Sequence, residues 1–233
     1  MLENLLTPPD CDRRINLHIL VYDNFATNVE SNSSAESLNQ FLLAVFEPVG
    51  QAFYSEFGVG LEVHYVNNDT ICSIAEDPPV KEEEKEEMRR IYAESNREKQ
   101  ISYNMIMYDF SLEDEERPHF IIALVGEEKI VPAGIDLFTW PMYLGARPHA
   151  GSSGERYCTV GINVVNGLSY TTLHELGHSL GAEHTNERGC IMQPSMVHGR
   201  KTYGWSKQNR DVVERKLREL GILQASESER KTA

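Results

Sequence analysis

No apolar run in the sequence approaches the roughly eighteen residues of a membrane span. The opening segment MLENLLTPPDCDRR has no basic stretch followed by an apolar one, so no signal peptide is expected. Positive charge is scarce: 22 Lys and Arg against 36 Asp and Glu leave a formal charge of -14. A surface of that sign repels phosphate backbones and anionic lipid heads, which argues against nucleic acid or membrane as the main partner. Cysteine is sparse too. Cys11, Cys72, Cys158 and Cys190 show no CxxC spacing, so a thiolate metal cluster is not expected. Their even number permits two disulfides, with no pairing implied. The two tryptophans, Trp140 and Trp205, read as packing anchors.

Apolar residues make up 40% of the 233 positions, enough for a sizeable core without disulfides. Neither an internal repeat nor a composition shift marks a linker, so residues 1–233 are expected to form one domain with loose ends at 1–14 and 225–233. The pattern is that of an α/β chain. INLHILVY (15–22), LEVHYV (61–66), HFIIALV (119–125) and 157–165 read as strands, the third continuous enough to be central in a sheet. Leu38, Leu42, Val45, Val49 and Phe53 recur at helical spacing over 35–57, with Pro48 expected to kink or split the helix. The charge-rich stretch 78–99 reads as a solvated helix laced with i,i+4 ion pairs, and Glu113–Glu116 as a solvated loop. Residues 126–159 are glycine- and proline-rich loop with an edge strand near Met142–Gly145. A helix follows from about Leu168, and the last helix is 207–220, capped by Ser206.

The chemistry concentrates in TTLHELGHSLGAEH, residues 171–184. His174 and His178 are four apart, so on a helix both imidazoles leave one face, one turn above the other. A single tetrahedral ion can reach two nitrogens so placed. Glu175 points aside from direct coordination, within reach of a water on the same ion. Gly181 lets the chain leave the helix through a positive-φ turn and return His184 from another direction. Three protein ligands leave the fourth position to water, the arrangement of catalytic zinc. All-imidazole ligation favours Zn2+ over other divalent ions. The fixed positions would arise by chance on the order of once per 10⁵ chains of this length. His18, His64, His119, His149 and His198 read as ordinary strand or loop residues.

HELGHSLGAEH resembles the HExxHxxGxxH signature of the metzincin metalloproteases, and Met192 in CIMQP resembles their methionine turn. Pro194, two residues on, stands where astacins and serralysins place tyrosine. CIMxP and the segment GRKTYGWSKQNRDVVERKL are instead similar to the reprolysin or adamalysin branch, which includes ADAM, snake-venom and tick salivary enzymes. The resemblance implies a mixed twisted sheet with long helices, an active-site helix, a methionine turn with Met192 as an apolar floor, and a C-terminal helix. It implies substrate contacts from Met142, Tyr143, Leu144 and Gly145 on an edge strand, and from Pro194, Ser195 and Met196 around the pocket past the cut. Departures are visible. The loop from His184 to Cys190 lacks the branch's extra cysteine, and a late cysteine is missing, which leaves a long disulfide and a calcium site poorly supported. Cys11 lacks the surroundings of the matrixin latency switch and reads as a disulfide partner or surface thiol.

The resulting expectation is a monomeric zinc endopeptidase acting on protein or peptide substrates, with Glu175 as general base. The resemblance leans towards an extracellular protein, and the alternative is cytoplasmic. Two rivals stay open: a binding or anti-haemostatic protein that keeps the fold, which the intact triad and Glu175 oppose, and an intracellular peptidase of archaemetzincin type, which the few cysteines suit.

Overall fold

The structure is a computed structural model that describes residues 11–32, 37–125, 147–149, 156–161, 165–194 and 204–224. In chain order the elements are β1 (Arg14–Val21), α1 (Asp23–Asn32), α2 (Leu38–Phe57), β2 (Gly60–Val66), α3 (Asn68–Glu76), α4 (Glu82–Glu94), α5 (Arg97–Phe110), β3 (Phe120–Val125), β4 (Arg147–His149), β5 (Tyr157–Gly161), α6 (Val165–Ser179) and α7 (Lys207–Glu219), with a 3-10 turn at Asp114–Glu116.

The strands form one sheet in the order β2-β1-β3-β5-β4. The first four run parallel, and β4 lies antiparallel to β5 at the end. Alternation along β1 sends Ile15, Leu17 and Ile19 into one core with α2, α6 and α7, and Leu20 into a second core with α3 and α5. β3 is buried at every position, as a strand covered on both faces must be: Phe120, Ile122 and Leu124 join the first core, Ile121, Ala123 and Val125 the second. The fold is therefore mixed α/β, with helices on both sides of a largely parallel sheet.

Some local expectations are corrected. Of the two outcomes expected at Pro48, a kink or a split, the split does not occur: α2 runs unbroken from Leu38 to Phe57. Proline removes a single intrahelical bond, and the burial of Val45, Phe46, Val49 and Phe53 on either side holds the helix together. The single helix expected over 78–99 is two. α4 has no buried residue, whereas after extended Ser95 and Asn96 the new helix α5 buries Ile101, Met105 and Tyr108 at helical spacing. Asn96 caps it by accepting from Lys99 N–H. Part of the expected loose N-terminal end is held: Cys11 is buried, and its thiol donates to Arg13 O at 2.9 Å.

No disulfide forms among the cysteines. All four are free, Cys72 exposed on α3 and the other three buried. Cys158 lies in the sheet on β5, and Cys190 follows α6 in the chain, so burial rather than bridging accounts for them. His18 and His64 are strand residues as expected, side by side on β1 and β2. His18 Nδ1 meets Tyr108 Oη at 2.7 Å, and burial brings the His18 ring down to about 4. His119 Nδ1 accepts from Asn16 N–H at 2.8 Å. His149 and His198 side chains lie outside the described residues, as does Trp140.

Candidate metal centre

α6 carries Leu168, Leu173 and Leu176 into the first core, joined by Leu180 just past its end, which fixes its rotation and leaves His174 and His178 on the opposite side. The helix ends in a hydrogen-bonded reversal. Gly181, at φ 84, donates to His178 O at 2.9 Å, and Ala182 donates to Gly177 O at 2.8 Å. These are the paired bonds of a Schellman turn, in which a Cβ would be strained at the glycine position. The turn brings His184 back across the helix face.

The three Nε2 atoms form a triangle with every side 3.2 Å. Zinc–imidazole bonds of about 2.0–2.1 Å at tetrahedral angles put ligand nitrogens about 3.3–3.4 Å apart, so the donor set fits that ion. The tautomers fit as well. His174 Nδ1 donates to Ile191 O and His178 Nδ1 to Ala182 O, both at 2.8 Å. A neutral ring with its proton on Nδ1 has only a lone pair on Nε2, so two bare lone pairs face each other across the triangle. Burial, with neighbouring imidazoles opposing further charge, brings His174 down to about 4 and lowers His178, so both are neutral at pH 7. Three converging nitrogens, two of them bare lone pairs aimed at each other, suit a cation between them. These are the described residues that could hold a metal ion together.

The family model of reprolysin-type metallo-peptidase family M12 matches residues 12–207. The chain belongs to metallopeptidase family M12. That membership implies a zinc ion and protein or peptide substrates. Archaemetzincin from Methanopyrus kandleri is similar in structure, with 12% identity over 91% of this chain and 98% of its own, at a TM-score of 0.46. No curated protein matches.

In this M12 metallopeptidase Glu175 is 4% exposed, and its Oε2 is buried without a hydrogen-bond partner. Burial raises the carboxyl to about 7. Met192 is fully buried and packs on α6 at Gly177, while its carbonyl accepts from Thr185 N–H at 2.8 Å. Pro194 is exposed just past this turn. Ser195, Met196 and the edge-strand residues Met142, Tyr143, Leu144 and Gly145 lie outside the described residues. The edge strand that is described is β4, a few positions further on.

Several supporting groups escaped the sequence reading. Tyr170, one turn before His174, stacks near its ring and donates to the same Ile191 carbonyl at 2.9 Å. Its i−4 spacing was a visible signal, but the shared acceptor was not. Gly177 is the second. A Cβ there would stand 2.5 Å from Met192 Sδ and 3.3 Å from the Trp205 ring, which itself packs on Phe53 and Phe57. A mid-helix glycine, unfavourable by about 1 kcal/mol against alanine, was the signal.

Overpacking of this kind destabilises by about 1–3 kcal/mol, and a branched side chain falls at the upper end. Gly177→Val is therefore expected to lower the melting temperature by about 4–12 °C. Gly177→Ala should do less, because about 1 kcal/mol of helix propensity returns. Thermal unfolding followed by circular dichroism checks the order, and an unshifted Val variant would mean that Met192 and Trp205 do not press on α6.

Proposed function

We propose that the chain is a zinc-dependent endopeptidase of reprolysin-like type, acting as a single catalytic domain and as a monomer on protein or peptide substrates. The observation that carries the reading is the 3.2 Å triangle of Nε2 atoms whose tautomers are set by backbone acceptors. His174, His178 and His184 would hold the ion, which when bound supplies Lewis-acid polarisation of the scissile carbonyl and a water of lowered pKa.

The chain's own contribution is proton handling and orientation. Glu175 takes a proton from the attacking water on its carboxylate. The water oxygen bonds to the carbonyl carbon, the carbon–nitrogen bond breaks, and Glu175 returns the proton to the departing amine. A buried carboxylate with an unpartnered oxygen suits that task better than one tied into an ion pair. Met142–Gly145 would hold an extended substrate by strand addition, a role supported by the position of β4 at the end of the sheet. Pro194, Ser195 and Met196 would wall the pocket beyond the cut, and the exposure of Pro194 suits this. The free thiols withdraw the support that paired cysteines would lend to secretion, and the departures from the reprolysin cysteine pattern leave calcium without a supporting feature.

The test is metal analysis of the purified chain with a peptide-library digest, run with and without 1,10-phenanthroline. One zinc per chain and internal cleavages abolished by the chelator and restored by added zinc are expected. Cleavage that persists after zinc is stripped would overturn the reading.

A further inference from the structure

The three imidazoles are not held alike. His174 and His178 each have an Nδ1 tether to a backbone carbonyl. Among the described residues His184 has none; its ring meets only the other two imidazoles. It is also the exposed member of the three. An exposed ring without a tether takes its direction from its own backbone, and that backbone is fixed from both sides. Thr185 N–H donates to Met192 O. On the other side, the Asn209 side chain grips Glu183 at two points: Oδ1 accepts from Glu183 N–H at 3.1 Å and Nδ2 donates to Glu183 O at 2.9 Å.

Asn209 belongs to the first turn of α7, 26 residues away from Glu183 in sequence. At 3% exposure it is buried for a residue type that is usually at the surface. Its own place is fixed. Asn209 N–H donates to Ser206 Oγ, and Ser206 N–H donates to Cys190 Sγ, both at 3.2 Å. Ile191 N–H donates to Gly204 O at 2.7 Å. The start of α7 is thus joined to the same 190–192 segment that supplies the acceptor for His174. Val212 also closes on the Gly181 turn, its Cγ1 3.3 Å from where a Cβ there would be.

We infer that Asn209 is a positioning residue for the third metal ligand: its amide clamp on Glu183 sets the direction of His184, so that zinc affinity depends on a side chain of the C-terminal helix. This rests on the metal reading of the triad. Groups that orient a ligand without touching the ion typically change affinity by about 10–100-fold when removed. The Asn209 amide both accepts from Glu183 N–H and donates to Glu183 O. Leucine has a similar shape and does neither.

The full-length chain is prepared as wild type, Asn209→Leu, Asn209→Ala and Val213→Ala. Val213 is fully buried on the same helix and makes no clamp. Zinc affinity is measured by chelator competition well below the melting temperature of each metal-free protein, together with the visible spectrum of the cobalt(II) form. Both Asn209 variants are expected to lose about 10–100-fold in zinc affinity, with altered cobalt bands. Val213→Ala should melt earlier but bind zinc as wild type does. If either folded Asn209 variant binds zinc within twofold of wild type with an unchanged cobalt spectrum, the clamp has no such role. A Val213→Ala protein that loses affinity equally would also overturn it, as general loosening of α7. A wild-type chain that binds no zinc would defeat the metal reading itself, a result separate from either.

Discussion

Replacing Glu175 with glutamine is expected to lower kcat by about 10²–10⁴-fold, the usual worth of a positioned general base. The zinc content should stay at the wild-type value. The substitution keeps size and shape and removes only the ability to take a proton. It touches none of the three imidazoles, whose Nδ1 and Nε2 contacts run to Ile191, Ala182 and one another. Loss of an interaction made only as the bond breaks lowers kcat and kcat/KM together and leaves KM nearly unchanged. Folding should not suffer. Glu175 Oε2 makes no hydrogen bond that the amide would forfeit, and a neutral group is easier to bury than a carboxylate. Single-turnover cleavage of a quenched fluorescent peptide, with metal content measured on the same samples, separates the cases. A variant that cleaves at the wild-type rate with zinc bound would show the base to be another group.

How much of this could be read from the sequence divides along physical lines. β1 and β3 were legible because burial on both faces demands nearly continuous apolar residues, and INLHILVY and HFIIALV supply them. α7 was legible because Ser206 announces it, and the observed cap accepts from Asn209 N–H as an N-cap should. The triad was legible because spacing on a helix followed by a glycine turn is a local property, and Gly181 at φ 84 keeps to it. α5 was missed because the charge run of α4 dominates the window. The break between them depends on two residues, Ser95 and Asn96, that look unremarkable in a row of polar ones. The disulfide expectation failed for a related reason. Counting cysteines says nothing of where they lie, and here three are separately buried. The supports of the site were out of reach altogether. Ile191 and Ala182 act through carbonyls that every residue possesses, and Asn209 acts across 26 residues.

Stripping the metal should lower the stability of the whole chain as well as stop cleavage. At zinc concentrations about a thousandfold above Kd, binding to the folded form alone contributes about 4 kcal/mol. For a chain of this size each 1 kcal/mol moves the melting temperature by about 2–4 °C, so a fall of about 8–16 °C is expected on chelation. The triad explains why folding cannot simply absorb the loss. His174 and His178 have committed their Nδ1 protons to carbonyls, so their Nε2 lone pairs, 3.2 Å apart, cannot pair with each other. A proton on His184 Nε2 could serve one of them at a time. Relief requires the rings to spread, and that pulls on the Ile191 carbonyl and on the turn at Gly181–Ala182, the parts through which the 190–192 segment is tied to α6. The two cores on either side of the sheet contain none of these imidazoles, so the secondary structure should persist at 25 °C. Hydrogen exchange should therefore quicken first around 174–192 and leave β1 and β3 protected. Added zinc should restore both protection and melting temperature. A verified metal-free protein that melts within about 2 °C of the zinc form, a shift worth under about 1 kcal/mol, would mean that the three rings are at ease without a cation, and that the geometry of the site has been misjudged.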